Sequence, residues 1–261
     1  MNSAPTIIDD LLARFTPALL DHATGAGVTV AVLDTGMSAE ELCKRHATVS
    51  IADTVAVQGS QVTPIPAEQS PSSFHGTTVA DIILRIAPQV TLYSADVFGS
   101  DGACEVETII AAIRHALDVW NVKVINLSLG VAESRLQQAN KRQQLQRIIE
   151  EAYFRDCIVV AAAHNDHPIT RSFPAIFAPP LFSVDKALFD ENELRIGYRL
   201  HDNIEFEAHS RGHYGPFSRE PATSWATPHV TGIAARLLSL KPTLKPFELK
   251  AILYWLSRFA R

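Results

Sequence analysis

The stretch GVTVAVLD, residues 27–34, is a β-branched apolar run that ends on a carboxylate. A run without polar alternation suits a strand buried in a parallel sheet with helices over both faces. Three more follow: VTLYSADVF at 90–98, VKVINLSL at 122–129 and CIVVAAA at 157–163. The segments between them have helical period. Val106, Ile109, Ile110, Ile113, Leu117 and Trp120 fall on one stripe, and Leu145, Ile148, Ile149 and Ala152 on the next. Strand and helix in alternation is the pattern of right-handed crossovers. The expected fold is therefore α/β: a doubly wound, mostly parallel central sheet flanked by helices, in a single domain.

Outside this core the pattern loosens. Residues 54–74, TVAVQGSQVTPIPAEQSPSSF, are rich in Pro, Ser and Gln and read as a long irregular loop. The span 164–221 is also irregular, with short strand-like segments LFSVDKA and IEFEA. At 221–238, PATSWATPHVTGIAARLL starts small and polar and becomes an amphipathic helix carrying Val230, Ile233, Ala234, Leu237 and Leu238 on one face. A final helix is expected near 246–259, and residues 1–24 read as a short packing helix.

The composition narrows the function classes. A net charge of -5 with no basic cluster argues against nucleic acid or an anionic membrane as the main partner. No apolar run is long enough to cross a bilayer. Cys43, Cys104 and Cys157 are an odd number without metal-like spacing, which favours free thiols in a reducing, cytoplasmic setting.

Catalytic groups in open α/β sheets gather at the carboxyl ends of the strands. Asp34 ends the first strand, His75 opens a helix after the long loop, and Ser224 stands where the 221–238 helix begins. Each has a plainer reading on its own: a turn cap, a satisfied histidine, a helix N-cap. Together they are the residue types of nucleophilic acyl transfer. A serine hydroxyl needs an imidazole to take its proton, and the imidazole needs a carboxylate to fix its tautomer. The backbone N–H groups at the start of the Ser224 helix and the side-chain amide of Asn165 are candidate donors to an oxyanion.

Five segments, VAVLDTG, HGTTVAD, VINLSLG, VVAAAHND and ATSWATPHVTG, occur in the order and context of the subtilisin-like serine proteases, and the chain resembles that family over roughly residues 25–240. An α/β-hydrolase would need G-x-S-x-G around its serine, and ATSWA lacks both glycines. The resemblance implies a peptidase domain over 25–261, with Asp34 as orienting acid, His75 as general base and acid, Ser224 as nucleophile and Asn165 as oxyanion donor. It also implies that Ser128, Leu129 and Gly130 line one side of a cleft in which an extended peptide adds as a strand. The segment 98–104, with Gly102, would form the opposite rim. The implied partner is a peptide or protein substrate, with no cofactor or metal, and a monomer is expected.

Four positions depart from the family pattern. His164 stands where a glycine usually precedes the oxyanion asparagine, beside the pocket for the residue before the scissile bond. It would restrict that subsite to small or acidic residues, unless it points to solvent. Ala222 replaces the usual glycine before Thr-Ser and would be strained if it took a positive φ. The HGTTVAD helix runs almost directly into RIAPQV, without the loop that holds calcium in many secreted relatives. A short N-terminal segment stands where secreted relatives carry a long prodomain. The expectation is an intracellular subtilase processing selected substrates, such as precursor peptides. The alternatives are a catalytically weak scaffold that binds peptide or a partner protein, and an acyl-transfer variant acting as esterase or ligase.

Overall fold

The computed structural model describes residues 20–66, 69–98, 102–189, 194–212 and 220–259. Most of the expected N-terminal packing helix, and residues 99–101 of the 98–104 rim, lie outside the described residues. The strands are β1 (Thr29–Asp34), β2 (Ser50–Gln58), β3 (Gln61–Pro64), β4 (Thr91–Asp96), β5 (Val124–Leu127), β6 (Val131–Ala132), β7 (Ile158–Ala162), β8 (Ser172–Phe173), β9 (Phe182–Ala187), β10 (Ile196–His201) and β11 (Ile204–His209). The helices are α1 (Ala39–Cys43), α2 (His75–Ile86), α3 (Val106–Asp118), α4 (Ala139–Phe154), α5 (Thr223–Leu240) and α6 (Pro246–Phe259).

Among the described residues the main sheet runs in the order β10-β11-β9-β7-β5-β1-β4-β2-β3. Every pair from β11 to β2 is parallel, and only the outer pairs β10–β11 and β2–β3 are antiparallel. The small sheet β6–β8 is also antiparallel.

Side-chain alternation along the central strands explains the two layers of helices. Val30 and Val32 of β1 join a core with α2, α5 and α6, while Ala31 and Leu33 join another with α3 and α4. A strand whose two faces are both covered is mostly apolar, which is why GVTVAVLD carries no polar alternation. The α2–α5 contact depends on Gly232, where a Cβ would lie 2.7 Å from Ile86 Cβ. Because β1 sits between β4 and β5, the winding direction reverses at its carboxyl end, and Asp34 occupies that switch point.

One expectation fails in this region. Residues 54–64 are not irregular: β2 and β3 form a hairpin with Gln58 paired to Gln61 across a Gly59-Ser60 turn. Val55 and Val57 are buried on one face, and Gly59 has φ 58°, the left-handed conformation such a two-residue turn requires. The alternation was present in TVAVQ; the surrounding Pro, Ser and Gln masked it.

Candidate active site

Asp34 is fully buried at the end of β1 and His75 opens α2, so the two meet across the carboxyl edge of the sheet. Asp34 Oδ1 lies 2.7 Å from His75 Nδ1 and also accepts the Thr35 N–H at 2.8 Å. Its Oδ2 is buried with no hydrogen-bond partner among the described residues. The imidazole is thus the main group compensating the carboxylate's charge.

A knot of bonds to the end of β1 fixes the start of α2. Thr35 Oγ1 donates to the Ser73 carbonyl and accepts the Gly76 N–H, while the His75 N–H donates to Ser73 Oγ. Only glycine fits after His75, because a Cβ there would stand 2.1 Å from the Gly36 carbonyl oxygen. Burial alone would push the His75 pKa down. The charge of Asp34 and the hydrogen bond to it outweigh burial and hold the imidazole above the ordinary histidine value.

Ser224 is the second residue of α5, not its cap. The cap is Ala222, which has no side-chain acceptor to offer. Asn165 supplies one from the loop after β7: its Oδ1 accepts the Thr223 N–H at 2.9 Å and the Thr223 hydroxyl at 3.2 Å. Spending the amide oxygen on the helix leaves the Nδ2 hydrogens as the donating end. Ala222 itself has φ -140° and ψ 151°, ordinary extended backbone, so the strain expected from a positive φ does not arise.

Pro228 lies four residues after Ser224 and has no N–H to give the Ser224 carbonyl, which a continuous helix would require. That orphaned carbonyl accepts the Ser128 hydroxyl at 3.0 Å instead. In return, Ser224 Oγ donates to the Ser128 carbonyl at 3.2 Å. Behind this reciprocal clasp, Asn126 Nδ2 donates to Ser128 Oγ, and the Thr231 hydroxyl donates to Asn126 Oδ1. Asn126, Ser128 and Thr231 are all buried. Trp225, the residue after Ser224, lays its indole against the His75 ring with centroids 4.8 Å apart. The serine-bearing turn is thereby docked on the histidine.

These residues border an open cleft of about 1160 Å³. His75, Gly102, Ser128, Leu129, Gly130 and His164 all line it, so one cleft unites the expected substrate-binding residues. Neither Ser224 nor Asn165 is among its lining residues; Ser224 joins it through Ser128. Cys104 is also in the wall, but burial, with the charge of Asp34 behind it, pushes its thiol up to about 12. At neutral pH it is a protonated thiol and no rival nucleophile. Among the described residues no group of three or more His, Cys, Asp or Glu is arranged to hold a metal ion.

The subtilase family model matches residues 25–188 and 197–257, most of the chain. The chain belongs to the subtilase family. Subtilisin BL from Lederbergia lenta is 28% identical over 242 residues, spanning 87% of this chain and 82% of that protein. Among solved structures, the S41 psychrophilic protease matches with a TM-score of 0.69 at 22% identity, covering 88% of this chain and 83% of its own. A lanthipeptide protease matches with a TM-score of 0.65 at 18% identity, covering 88% and 79%. As a subtilase the chain is a serine peptidase, and its substrates are peptides or proteins. No described helix is long and apolar enough to cross a membrane.

The sequence did not reveal how this subtilase site is held. The Asn165 contact to α5 spans 58 residues and the Ser128–Ser224 clasp spans 96. Pro228 was the available signal for the clasp, since a proline inside a helix always leaves a carbonyl in search of a donor.

Proposed function

We propose that this subtilase is an endopeptidase working through Asp34, His75 and Ser224, with Asn165 as an oxyanion donor. The observation that carries the reading is the buried 2.7 Å contact between Asp34 and His75, with the Ser224 turn docked on the same imidazole through Trp225. A carboxylate on Nδ1 keeps the proton there and leaves Nε2 basic.

In the first step Ser224 Oγ attacks the peptide carbonyl carbon while its proton passes to His75 Nε2. The carbonyl oxygen gains the negative charge, which Asn165 Nδ2 and the N–H groups at the start of α5 stabilise. The carbon–nitrogen bond then breaks, and His75 returns its proton to the leaving amine. Water attacks the resulting acyl-serine, gives a proton to His75, and the collapse restores the Ser224 hydroxyl while releasing the carboxyl product. At rest the Ser224 hydroxyl is donated to Ser128 O. It exchanges that acceptor for His75 as the reaction begins.

Ser128, Leu129 and Gly130 would pair an extended substrate from one side of the cleft, with Gly102 on the opposite rim. The selective processing of precursor peptides fits the likeness to the lanthipeptide protease fold. A cytoplasmic setting fits three cysteines that are all free thiols. The test of the reading is labelling with a serine-directed phosphonate: native protein takes up one label and Ser224→Ala none. Absence of label on folded native protein would favour a peptide-binding scaffold instead.

A further inference from the structure

We propose that His164 selects substrates whose residue on the N-terminal side of the scissile bond carries a carboxylate, Asp or Glu. This rests on the reading of Ser224 and Asn165 just given. The carbonyl held by an oxyanion donor belongs to the residue before the scissile bond, and it sits about 3 Å from that donor. Adjacent Cα atoms are only about 3.8 Å apart, so the chain neighbour of Asn165 is within reach of that residue's side chain. The neighbour is His164, and it lines the cleft.

The hydrogen bonds of His164 determine what it presents. Its Nδ1 accepts the Asp166 N–H at 3.1 Å, which places the proton of the neutral ring on Nε2. Nothing among the described residues accepts from Nε2. The side chain is 32% exposed, so the ring keeps contact with solvent. The Nε2 edge is donor-only, and protonating the ring keeps it so. A carboxylate satisfies it, and a lysine or arginine would set donor against donor. A large apolar side chain would cover the N–H without replacing the water it loses.

The cleft also carries one cation that no described carboxylate pairs. Arg135 lines it on the turn after β6, is exposed, and has no carboxylate within ion-pair distance among the described residues. Lys141 also lines it but is tied to Glu107 at 2.6 Å. The charge of Glu105, also in the lining, falls on the same Lys141, so Lys141 adds no free positive charge to the cleft. Arg135 therefore contributes positive potential that a bound acidic peptide can use, and Asp166 meets His164 at Nδ1, 3.7 Å away, which leaves Nε2 as the donor for substrate.

The test is the cleavage profile of the full chain on a mixed peptide library, with sites read by mass spectrometry, followed by kcat/KM on matched peptides bearing Glu, Gln, Leu or Lys before the cleaved bond. Native protein is expected to favour Glu over Leu by roughly 10- to 100-fold, the scale of one satisfied against one orphaned hydrogen bond, with Lys cleaved least. His164→Leu should erase most of the Glu preference. His164→Gln, which retains a side-chain N–H, should restore part of it. A native preference for Leu, or a Glu-to-Leu ratio unchanged in His164→Leu, overturns the role of His164 while hydrolysis still depends on Ser224. Cleavage that persists in Ser224→Ala overturns the underlying reading as well.

Discussion

The two halves of the site are held by different means. Asp34 and His75 are fixed by a dense set of bonds between the end of β1 and the segment that opens α2, among residues 34, 35, 73, 75 and 76, and by a glycine that admits no side chain. Ser224 and Asn165 are fixed from a distance, through a remote helix cap and a clasp made available by Pro228. The proposed acid–base pair is already in contact without substrate. The proposed nucleophile has its backbone carbonyl bonded by Ser128 Oγ and its hydroxyl on Ser128 O, an acceptor that the proposed attack would have to give up.

Breaking the acid–base half should have the largest effect. His75→Ala should lower turnover by several orders of magnitude, because the members of such a triad act as a unit; near-native rates in a steady-state assay would defeat the assignment. Asp34→Asn should also cost orders of magnitude and leave a signature in pH. With the carboxylate charge gone, burial alone governs His75, so the acid limb of the kcat/KM profile should move to lower pH. An acid limb in the same place would mean that some group other than His75 controls the rate.

Breaking the distant half should cost less and divide between rate and stability. Asn165→Ala should reduce kcat by about 10²–10³-fold, the usual cost of one oxyanion donor, and should also lose about 1 kcal/mol of folding stability as the remote cap of α5. A loss of stability without a loss of kcat would make Asn165 only a cap. Ser128→Ala leaves the Ser224 carbonyl without its donor. Chemical denaturation should report a loss of about 1–3 kcal/mol, with a smaller change in kcat than Asn165→Ala gives.

The smallest effect is one of linkage. The folded His75 pKa is raised above its unfolded value near 6.5, so protonated His75 adds stability that is fully present below that pH. The contribution is lost as pH rises through the folded value, the interval in which neutral His75 becomes available and activity appears. Thermal unfolding of native protein and His75→Ala across this range should converge toward alkaline pH; a difference that grows with pH would contradict the sign.

Much of this was legible in the sequence, for a physical reason. Strands covered on both faces are mostly apolar, so β1 and β7 announce themselves outright, and β4 and β5 do so in spite of Ser94 and Asn126. Asp34 at a strand end and His75 and Ser224 at helix starts could be read as candidates, and the resemblance to the subtilases joined them into one proposed set. What was not legible depends on contacts between distant segments. Asn165 as a cap for α5, Ser128 as the partner of Ser224 and Trp225 against His75 join residues that local periodicity never compares. The β2–β3 hairpin was missed for a different reason, because composition outweighed the alternation of Val55 and Val57. Ala222 could not be judged without its dihedral angles, which are those of an ordinary extended residue.

The central claim is that Ser224 becomes a covalent acyl carrier through His75 and Asp34. Rapid mixing with an excess of an activated ester or a peptide anilide tests it directly. A burst of leaving group that approaches one equivalent per chain, absent in Ser224→Ala and matched by an acyl mass on the peptide containing Ser224, is the expected result. Turnover by Ser224→Ala at the native rate, or an acyl mass on any other residue, would contradict it.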